Sequence, residues 1–157
     1  MRNHNNFYQN LKFSSDGERY VSNLLLKKLK IGTLQYNNNK DYDLFCELLS
    51  GEQQGSKITV EVKEDERAKE TGNVVIEYES RGKPSGIATS KADFWVLRIH
   101  QQDGIHHYMY RTKIIKEMIR NKLYFDDRRM LHTDSNNRLY FFKVDVLKTN
   151  ADMILGG

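Results

Sequence analysis

The sequence predicts a single mixed α/β domain, and two patterns lead to that fold class. Apolar residues recur at helical spacing in two segments, whereas several other segments alternate apolar and polar residues as half-buried strands do. The chain has 157 residues, of which 38% are hydrophobic, which suffices for one core. We therefore expect one domain over residues 1–157, with a loose Asn-rich arm at 1–14 and a tail at 148–157.

The first helix is predicted to begin after Ser15 and to end before Gly32. Ser15 and Glu18 have the spacing of a capping box, in which the serine caps the helix and the glutamate bonds back. The helical periodicity then rests on Tyr20, Val21, Leu24, Leu25 and Leu29.

Most of the remaining chain is predicted to form strands. The segments with strand character are Thr33–Tyr36, Tyr42–Leu49, Lys57–Lys63, Asn73–Glu79, Asp93–His100, Ile105–Tyr110 and Leu139–Val146. Asp103-Gly104 predicts a tight hairpin turn. Residues 64–72 are predicted to form a loop or a short helix. Helices are predicted at 87–91 and after Thr112 as N-cap, and 121–133 is expected to be irregular.

The triplet Glu61-Val62-Lys63 is the most informative motif. Residues two apart on a strand point to the same face, about 6–7 Å from each other, so Glu61 and Lys63 share a face while Val62 packs into the core. A carboxylate is a hard oxygen ligand of the kind that Mg²⁺ binds, and a neighbouring lysine can activate a water or steady charge on a phosphate. A Glu and a Lys on a solvated strand face are also common.

A metal site needs a second carboxylate, and Asp43 lies in the preceding strand candidate. An antiparallel hairpin between these strands can bring Asp43 beside Glu61. Asp41 is a rival for this role, and Asp43 is preferred because it directly precedes the apolar run Leu44-Phe45-Cys46. The set indicates metal-assisted hydrolysis of a phosphodiester.

The order of these elements resembles the PD-(D/E)xK nuclease superfamily, with Tyr42-Asp43 at the P-D element and Glu61-Val62-Lys63 at the E-x-K element. The resemblance extends over about Glu18 to Ile119 and lacks the proline. It implies a restriction-endonuclease-like αβββαβ core, whose mixed central sheet is flanked by helices. Phage-type members and Holliday-junction resolvases are the members it resembles most.

The same resemblance implies the roles of the site residues. Asp43, Glu61 and the Val62 carbonyl would hold Mg²⁺ or Mn²⁺, and Lys63 would handle the attacking water. Glu18 stands where many members place a glutamate on the first helix, so it is either a site residue or the capping-box partner of Ser15. Either Glu77 or Glu79 is a candidate for a further metal contact, with surface carboxylates as the alternative.

A basic, glycine-containing loop is the candidate DNA contact, formed by Arg81, Lys83, Ser85 and Lys91. Backbone amides and a helix N-terminus could bind a phosphate there, although a plain connecting loop is an equal alternative. The pair His106-His107 is expected to be exposed on a strand. The net charge of +4, concentrated between 106 and 143, is compatible with a nucleic-acid partner.

These features predict a Mg²⁺-dependent DNA endonuclease that acts as a homodimer, since cutting both strands symmetrically needs two sites. Selectivity for junctions, flaps or single strands is favoured, with sequence-specific restriction and non-catalytic nucleic-acid binding as alternatives. No apolar run is long enough to span a bilayer and no signal peptide is apparent, so a cytoplasmic protein without membrane or small-molecule cofactor is expected. The single cysteine, Cys46, is expected to be a buried apolar residue.

Overall fold

The computed structural model describes residues 16–29, 31–36, 43–48, 57–132 and 135–156. The helices are α1 Asp16–Leu29, α2 Ala68–Thr71, α3 Thr112–Arg120 and α4 Val144–Asn150, with a single 3₁₀ turn at Gly86–Ala88. The strands are β1 Ile31–Tyr36, β2 Leu44–Leu48, β3 Lys57–Asp65, β4 Asn73–Ser80, β5 Lys83–Pro84, β6 Phe94–Gln101, β7 Gly104–Arg111, β8 Asp126–His132, β9 Ser135–Lys143 and β10 Met153–Leu155. The mixed α/β class expected from the sequence is confirmed.

The larger sheet has the strand order β1-β2-β3-β6-β7-β10. It is mixed, because β3 and β6 are parallel while its other neighbouring strands are antiparallel. In β3, Ile58, Val60 and Val62 face α1, and the alternate residues face the opposite side of the sheet. This alternation places Glu61 and Lys63 on one face.

The smaller sheet has the order β5-β4-β9-β8 and is antiparallel. It packs against the other face of the larger sheet, and Trp95, Ile76 and Phe142 belong to the buried cluster between them. Tyr78 stacks on Tyr140 with ring centroids 4.2 Å apart, and both rings pack against this cluster. Helix α1 thus covers one face of the larger sheet, whereas the smaller sheet and α3 cover β6 and β7 on the other face, where Lys57 and Lys63 of β3 remain exposed.

Several predicted elements are confirmed with small shifts of their ends. The first helix, the hairpin at Asp103-Gly104 and the strands at β3, β4, β6 and β7 are present. Cys46 is fully buried, as expected, and burial raises the pKa of its thiol to about 12. The predicted cap at Thr112 is wrong, because its hydroxyl donates to the carbonyl of Ala92 at 2.6 Å and makes no cap bond.

The C-terminal third differs most from the sequence analysis. Residues 121–133 were expected to be irregular, but β8 forms there as an edge strand, where charged side chains are common and hide the alternation. The predicted strand to Val146 ends at Lys143, and α4 follows and buries Leu147. Residues 148–157 were expected to be a tail, but α4 extends to Asn150 and β10 pairs with β7.

No described helix is long and apolar enough to cross a membrane. The arm expected at 1–14 and the capping residue Ser15 lie outside the described residues, as does Asp41.

Candidate active site

Three elements bring Glu18, Asp43, Glu61 and Lys63 together. Glu18 lies in the first turn of α1, Asp43 directly precedes β2, and Glu61 and Lys63 lie on β3. The sequence alone brings only Glu61 and Lys63 to one face; the antiparallel pairing of β2 with β3 adds Asp43, and the packing of α1 on the sheet adds Glu18. These are the four residues that the sequence analysis assigned to catalysis.

Asp43 is held by the backbone of β3. Its N–H donates to the carbonyl of Val60 at 2.9 Å, and its carboxylate Oδ2 accepts from the N–H of Val62 at 2.8 Å. Both bonds tie Asp43 to the strand that carries Glu61, so the register of the hairpin determines where the carboxylate lies. The N–H and C=O of one strand residue point to the same edge, so the carbonyl of Val62 also faces the side of β3 on which Asp43 lies.

Glu61 and Lys63 form an ion pair, with 3.1 Å between Oε1 and Nζ. The side chain of Glu61 is 14% exposed, whereas that of Lys63 is 50% exposed. The ammonium group of Lys63 also lies 5.8 Å from the centroid of the Trp95 ring, and Trp95 is in register with Glu61 on the parallel neighbour β6. The side chain of Lys63 therefore passes the buried Trp95 ring and extends toward solvent beside the carboxylates.

Glu18 is 5% exposed, although it lies in the first turn of a helix. Its charge acts on Asp43 and on Glu61, which places it in the same electrostatic region. Burial of a carboxylate beside two others is costly. Glu18 is thus a buried carboxylate on the first helix near Asp43 and Glu61, while Ser15, the other residue of the predicted capping box, lies outside the described residues.

The pKa values of the site follow first from burial and then from the charges of the neighbouring carboxylates. Burial raises the pKa of Asp43 to about 7; the Val62 N–H and Lys63 oppose the rise, and the charges of Glu61 and Glu18 add to it. Burial likewise raises the pKa of Glu61, against the charge and hydrogen bond of Lys63. A region that disfavours its own negative charge in this way is one that a cation would stabilise.

A tighter group of potential metal ligands lies elsewhere. Among the described residues, the one set of three or more acidic or histidine side chains with ligand atoms all within 4.8 Å is Glu64, Glu66 and His100. Glu18, Asp43 and Glu61 do not meet that spacing, since Glu61 turns toward Lys63 and Asp43 toward Val62. Glu64 is already paired with Arg98 at 3.4 Å and with His100 at 2.7 Å, so its charge is largely compensated by protein groups.

The candidate DNA loop is only partly arranged as the sequence suggested. Arg81, Lys83 and Lys91 are exposed, but Ser85 donates its hydroxyl to Glu77 at 2.9 Å and its N–H to the carbonyl of Tyr78 at 3.1 Å. The expected helix is a 3₁₀ turn of three residues, too short to offer a helix N-terminus to a phosphate. Arg81 and Lys83 belong to the smaller sheet's β4–β5 turn, whereas Lys91 lies near the start of β6.

Glu77 and Glu79 lie on β4 in the smaller sheet. A register shift between them interrupts the alternation that would have put both on one face. Glu77 accepts the hydroxyl of Ser85, and the carboxylates that act on Asp43 are Glu61 and Glu18. Glu77 is thus engaged with Ser85, in the segment that follows β5.

The sequence analysis missed a network of aromatic and basic side chains beside α1, in which His107 is buried and Tyr20 is exposed. His107, expected to be exposed, is 4% exposed, stacks on Tyr20 at 5.1 Å and lies 2.9 Å from the guanidinium of Arg98. Arg98 in turn lies over the Tyr20 ring at 4.9 Å. This network packs the first turns of α1, where Glu18 lies, against β6 and β7. The sequence position of Tyr20 did not predict this network, because the tertiary fold decides which rings on separate elements stack.

Comparisons of the chain with protein-family models, with curated proteins and with solved structures found no match.

Proposed function

We propose that this chain is a metal-dependent nuclease that hydrolyses phosphodiester bonds of DNA. The observation that carries the proposal is the convergence of three carboxylates and one lysine, Glu18, Asp43, Glu61 and Lys63, from separate elements onto one region. Chance placement of surface charges would leave them solvated, whereas here Glu18 is buried and Asp43 and Glu61 are partly buried. Buried titratable groups with perturbed pKa values are typical of functional sites.

The order of elements supports the restriction-endonuclease-like core as part of this proposal. A helix is followed by three antiparallel strands, then by a short helix and by β6, which is parallel to β3. The expected order αβββαβ can be traced through α1, β1, β2, β3, α2 and β6. In this reading, β4, β5 and the 3₁₀ turn are an insertion within the crossover from β3 to β6.

The donor set fits a hard divalent cation. Carboxylate and carbonyl oxygens are the ligands that Mg²⁺ and Mn²⁺ prefer, and Asp43, Glu61 and the Val62 carbonyl would hold the ion. The raised pKa values of Asp43 and Glu61 fit as well, because burial disfavours their negative charge, the carboxylate of Glu18 adds to this effect, and a bound cation would offset it. When bound, the ion would stabilise negative charge on the phosphate and make a water a stronger nucleophile.

The protein groups then have distinct tasks. Lys63 reaches from the Trp95 ring toward solvent and would position the attacking water or donate a hydrogen bond to the phosphate oxygen. The backbone of Val62 holds Asp43 in place, so that this carboxylate does not need to be ordered when substrate arrives. Glu18, buried in the first turn of α1, would add a third carboxylate charge to the region that attracts the cation.

We further propose a homodimer with two such sites, which would permit cleavage of both strands of a branched or duplex DNA. Recognition of DNA shape needs fewer base contacts than sequence reading, and this suits a chain of 157 residues.

The experiment that tests the function compares DNA cleavage by three proteins in Mg²⁺ or Mn²⁺. Wild type, Lys63→Ala and, as matched control, Lys148→Ala would be incubated with four-way junction, flap, duplex and single-stranded DNA. Lys148 is exposed on α4, outside the site. We expect cleavage by wild type and Lys148→Ala that requires the metal, and a loss of about 10²-fold or more in Lys63→Ala. Equal cleavage by all three proteins, or none by wild type, would contradict the proposal.

A further inference from the structure

A basic cavity of about 530 Å³ lies beside the start of β3, outside the carboxylate site. Its walls come from the first residues of β3 and β6, the segment before β6, and the start of α3. Within the part of the chain that the structure describes, the lining includes one carboxylate, Asp93, and five basic side chains, Lys57, Lys91, Arg111, Lys113 and Lys116.

The carboxylate of Asp93 accepts hydrogen bonds from the neighbouring strand, although the residue itself is exposed. Asp93 accepts from the N–H of Thr59 at 2.9 Å and from its hydroxyl at 3.2 Å, which joins β3 to the segment before β6. Arg111 forms an ion pair with Asp152, with 3.1 Å between Nη2 of Arg111 and Oδ1 of Asp152. The guanidinium therefore keeps a defined orientation at the cavity, although part of its charge is balanced.

Three further lysines of the lining, which lie on or near α3, are exposed, and no carboxylate that the structure describes pairs with them. Lys91, Lys113 and Lys116 form no ion pair with any residue that the structure describes. Lys113 and Lys116 are three residues apart on α3 and therefore lie on the same side of that helix. Like charges held this close repel each other, and an anion with several negative groups would relieve that repulsion.

The position of the cavity relative to the carboxylates indicates which anion this is. Lys57 and Glu61 lie on the same face of β3, four residues apart, which corresponds to about 13 Å along the strand. The axial rise of DNA is about 3.4 Å for each charge of one strand, so a duplex of a few base pairs spans this separation. A nucleic-acid backbone following β3 from Glu61 would therefore bring later phosphates to the cavity.

We propose that this cavity binds backbone phosphates of the nucleic acid whose scissile bond lies at Asp43, Glu61 and Lys63. The proposal rests on the proposed function for the identity of the substrate. It assigns Lys113 and Lys116 of α3 to binding rather than to cleavage. It also gives Lys91 a place in DNA binding that is separate from the loop at Arg81 and Lys83.

The test measures DNA affinity without cleavage. Binding of a fluorescent 20-base-pair duplex would be followed by anisotropy in EDTA over a range of salt concentrations. The proteins are wild type, Lys113→Gln with Lys116→Gln, and a matched control carrying Lys69→Gln with Lys148→Gln. All four lysines are exposed on helices, and the control pair lies outside the cavity.

We expect the cavity variant to bind the duplex at least about five-fold more weakly at moderate salt, and the control to bind as wild type does. The slope of log affinity against log salt should become shallower by nearly two, because each lost phosphate contact contributes about 0.9. Circular dichroism and thermal melting would show that both variants are folded. An unchanged slope in a folded cavity variant would overturn the proposal.

Two further comparisons complete the test. The first distinguishes binding of a nucleic-acid backbone from binding of free phosphate. The second distinguishes a failure of the cavity proposal from a failure of the proposed nuclease function. If inorganic phosphate shifts the NMR signals of α3 at low concentration while the salt slope of the cavity variant equals that of wild type, the cavity is a small-anion site and the proposal is wrong. Because binding is measured in EDTA, it does not depend on hydrolysis. If the protein binds DNA through the cavity but shows no metal-dependent cleavage, only the proposed nuclease function is contradicted. If the protein cleaves DNA but the salt slope of the cavity variant equals that of wild type, only the cavity proposal is contradicted.

Discussion

At the scale of single residues, the carboxylate of Asp43 shows how a site can cost stability. It is partly buried, lies near Glu61 and Glu18, and has a pKa of about 7, well above that of an exposed aspartate. The folded protein therefore holds the proton more tightly than the unfolded chain. Between about pH 4 and pH 7 the unfolded state loses this proton first, so this group lowers the stability of the fold as the pH rises.

Asp43→Asn should consequently raise the melting temperature at pH 8 in EDTA. The asparagine oxygen can still accept the N–H of Val62, while one buried negative charge is removed. The same variant should lose most of the increase in melting temperature that Mn²⁺ produces in wild type. Thermal melting with and without Mn²⁺ checks both parts. An equal gain from Mn²⁺ in both proteins would exclude Asp43 as a ligand.

His107 is the residue that should control stability in acid. Burial lowers its pKa to about 4, with the charge of Arg98 adding to the effect and that of Glu64 opposing it. Neutral His107 therefore contributes stability that is complete above the unfolded pKa of about 6.5 and is lost as the pH falls through about 4. The maximum loss from this group is on the order of 3 kcal/mol, since one pKa unit corresponds to about 1.4 kcal/mol.

His107→Asn should flatten the decline of unfolding free energy between pH 6.5 and pH 4 seen in urea denaturation. His106→Asn is the matched control, because His106 is the neighbouring histidine, is less buried, and bonds the exposed Asp103 at 2.7 Å. If the His106 variant flattened the curve and the His107 variant did not, the acid sensitivity would belong to the exposed histidine.

At the scale of elements, the three-residue strand β10 contributes both to the larger sheet and to the core. It closes the larger sheet on β7, and Leu155 is 3% exposed among the residues that α1 covers. Asp152, just before β10, accepts the N–H of Arg111 at 2.7 Å and pairs with its guanidinium. The C-terminal segment thus contributes to the core and also orients a side chain of the basic cavity.

Leu155→Ala should destabilise the fold by about 2–5 kcal/mol, the range for a leucine truncated in a core. Its neighbour Ile154 is 45% exposed, so Ile154→Ala should cost much less. Urea denaturation of the two variants gives the comparison directly. Equal costs would mean that β10 does not bury Leu155 in solution.

At the scale of the whole molecule, two buried clusters share one sheet. Leu25 belongs to the cluster under α1, whereas Leu147 and Trp95 belong to the cluster between the two sheets. The larger sheet contributes residues to both, for example Val96 to the first and Leu97 to the second. Loss of either cluster would expose apolar surface of the same strands, so the described part of the chain should unfold as one unit.

Leu25→Ala and Leu147→Ala should each lower the midpoint of a single transition. Trp95, the chain's one tryptophan, reports on the cluster between the sheets, and far-ultraviolet circular dichroism reports on the whole chain. The two signals should coincide in wild type and in both variants. A dichroism change that precedes the Trp95 fluorescence change in Leu25→Ala would show that α1 and its cluster unfold separately.

The sequence by itself determined the features that depend on local periodicity. Helix α1, the hairpin at Asp103-Gly104, and the shared face of Glu61 and Lys63 follow from spacing along one element. Periodicity did not predict the correct element where the apolar pattern was weak or fitted both a helix and a strand. The charged edge strand β8 shows no apolar alternation, and the run from Val144 to Leu147 is compatible with either a strand or a helix.

Only the tertiary structure decided which distant residues meet. The bond from the Val62 N–H to Asp43, the burial of Glu18 and the stacking of Tyr20 on His107 each join separate elements. The basic cavity likewise collects lysines from β3, α3 and the segment before β6. The physical reason is that side-chain direction within an element is local, whereas burial and its electrostatic consequences depend on which elements pack together.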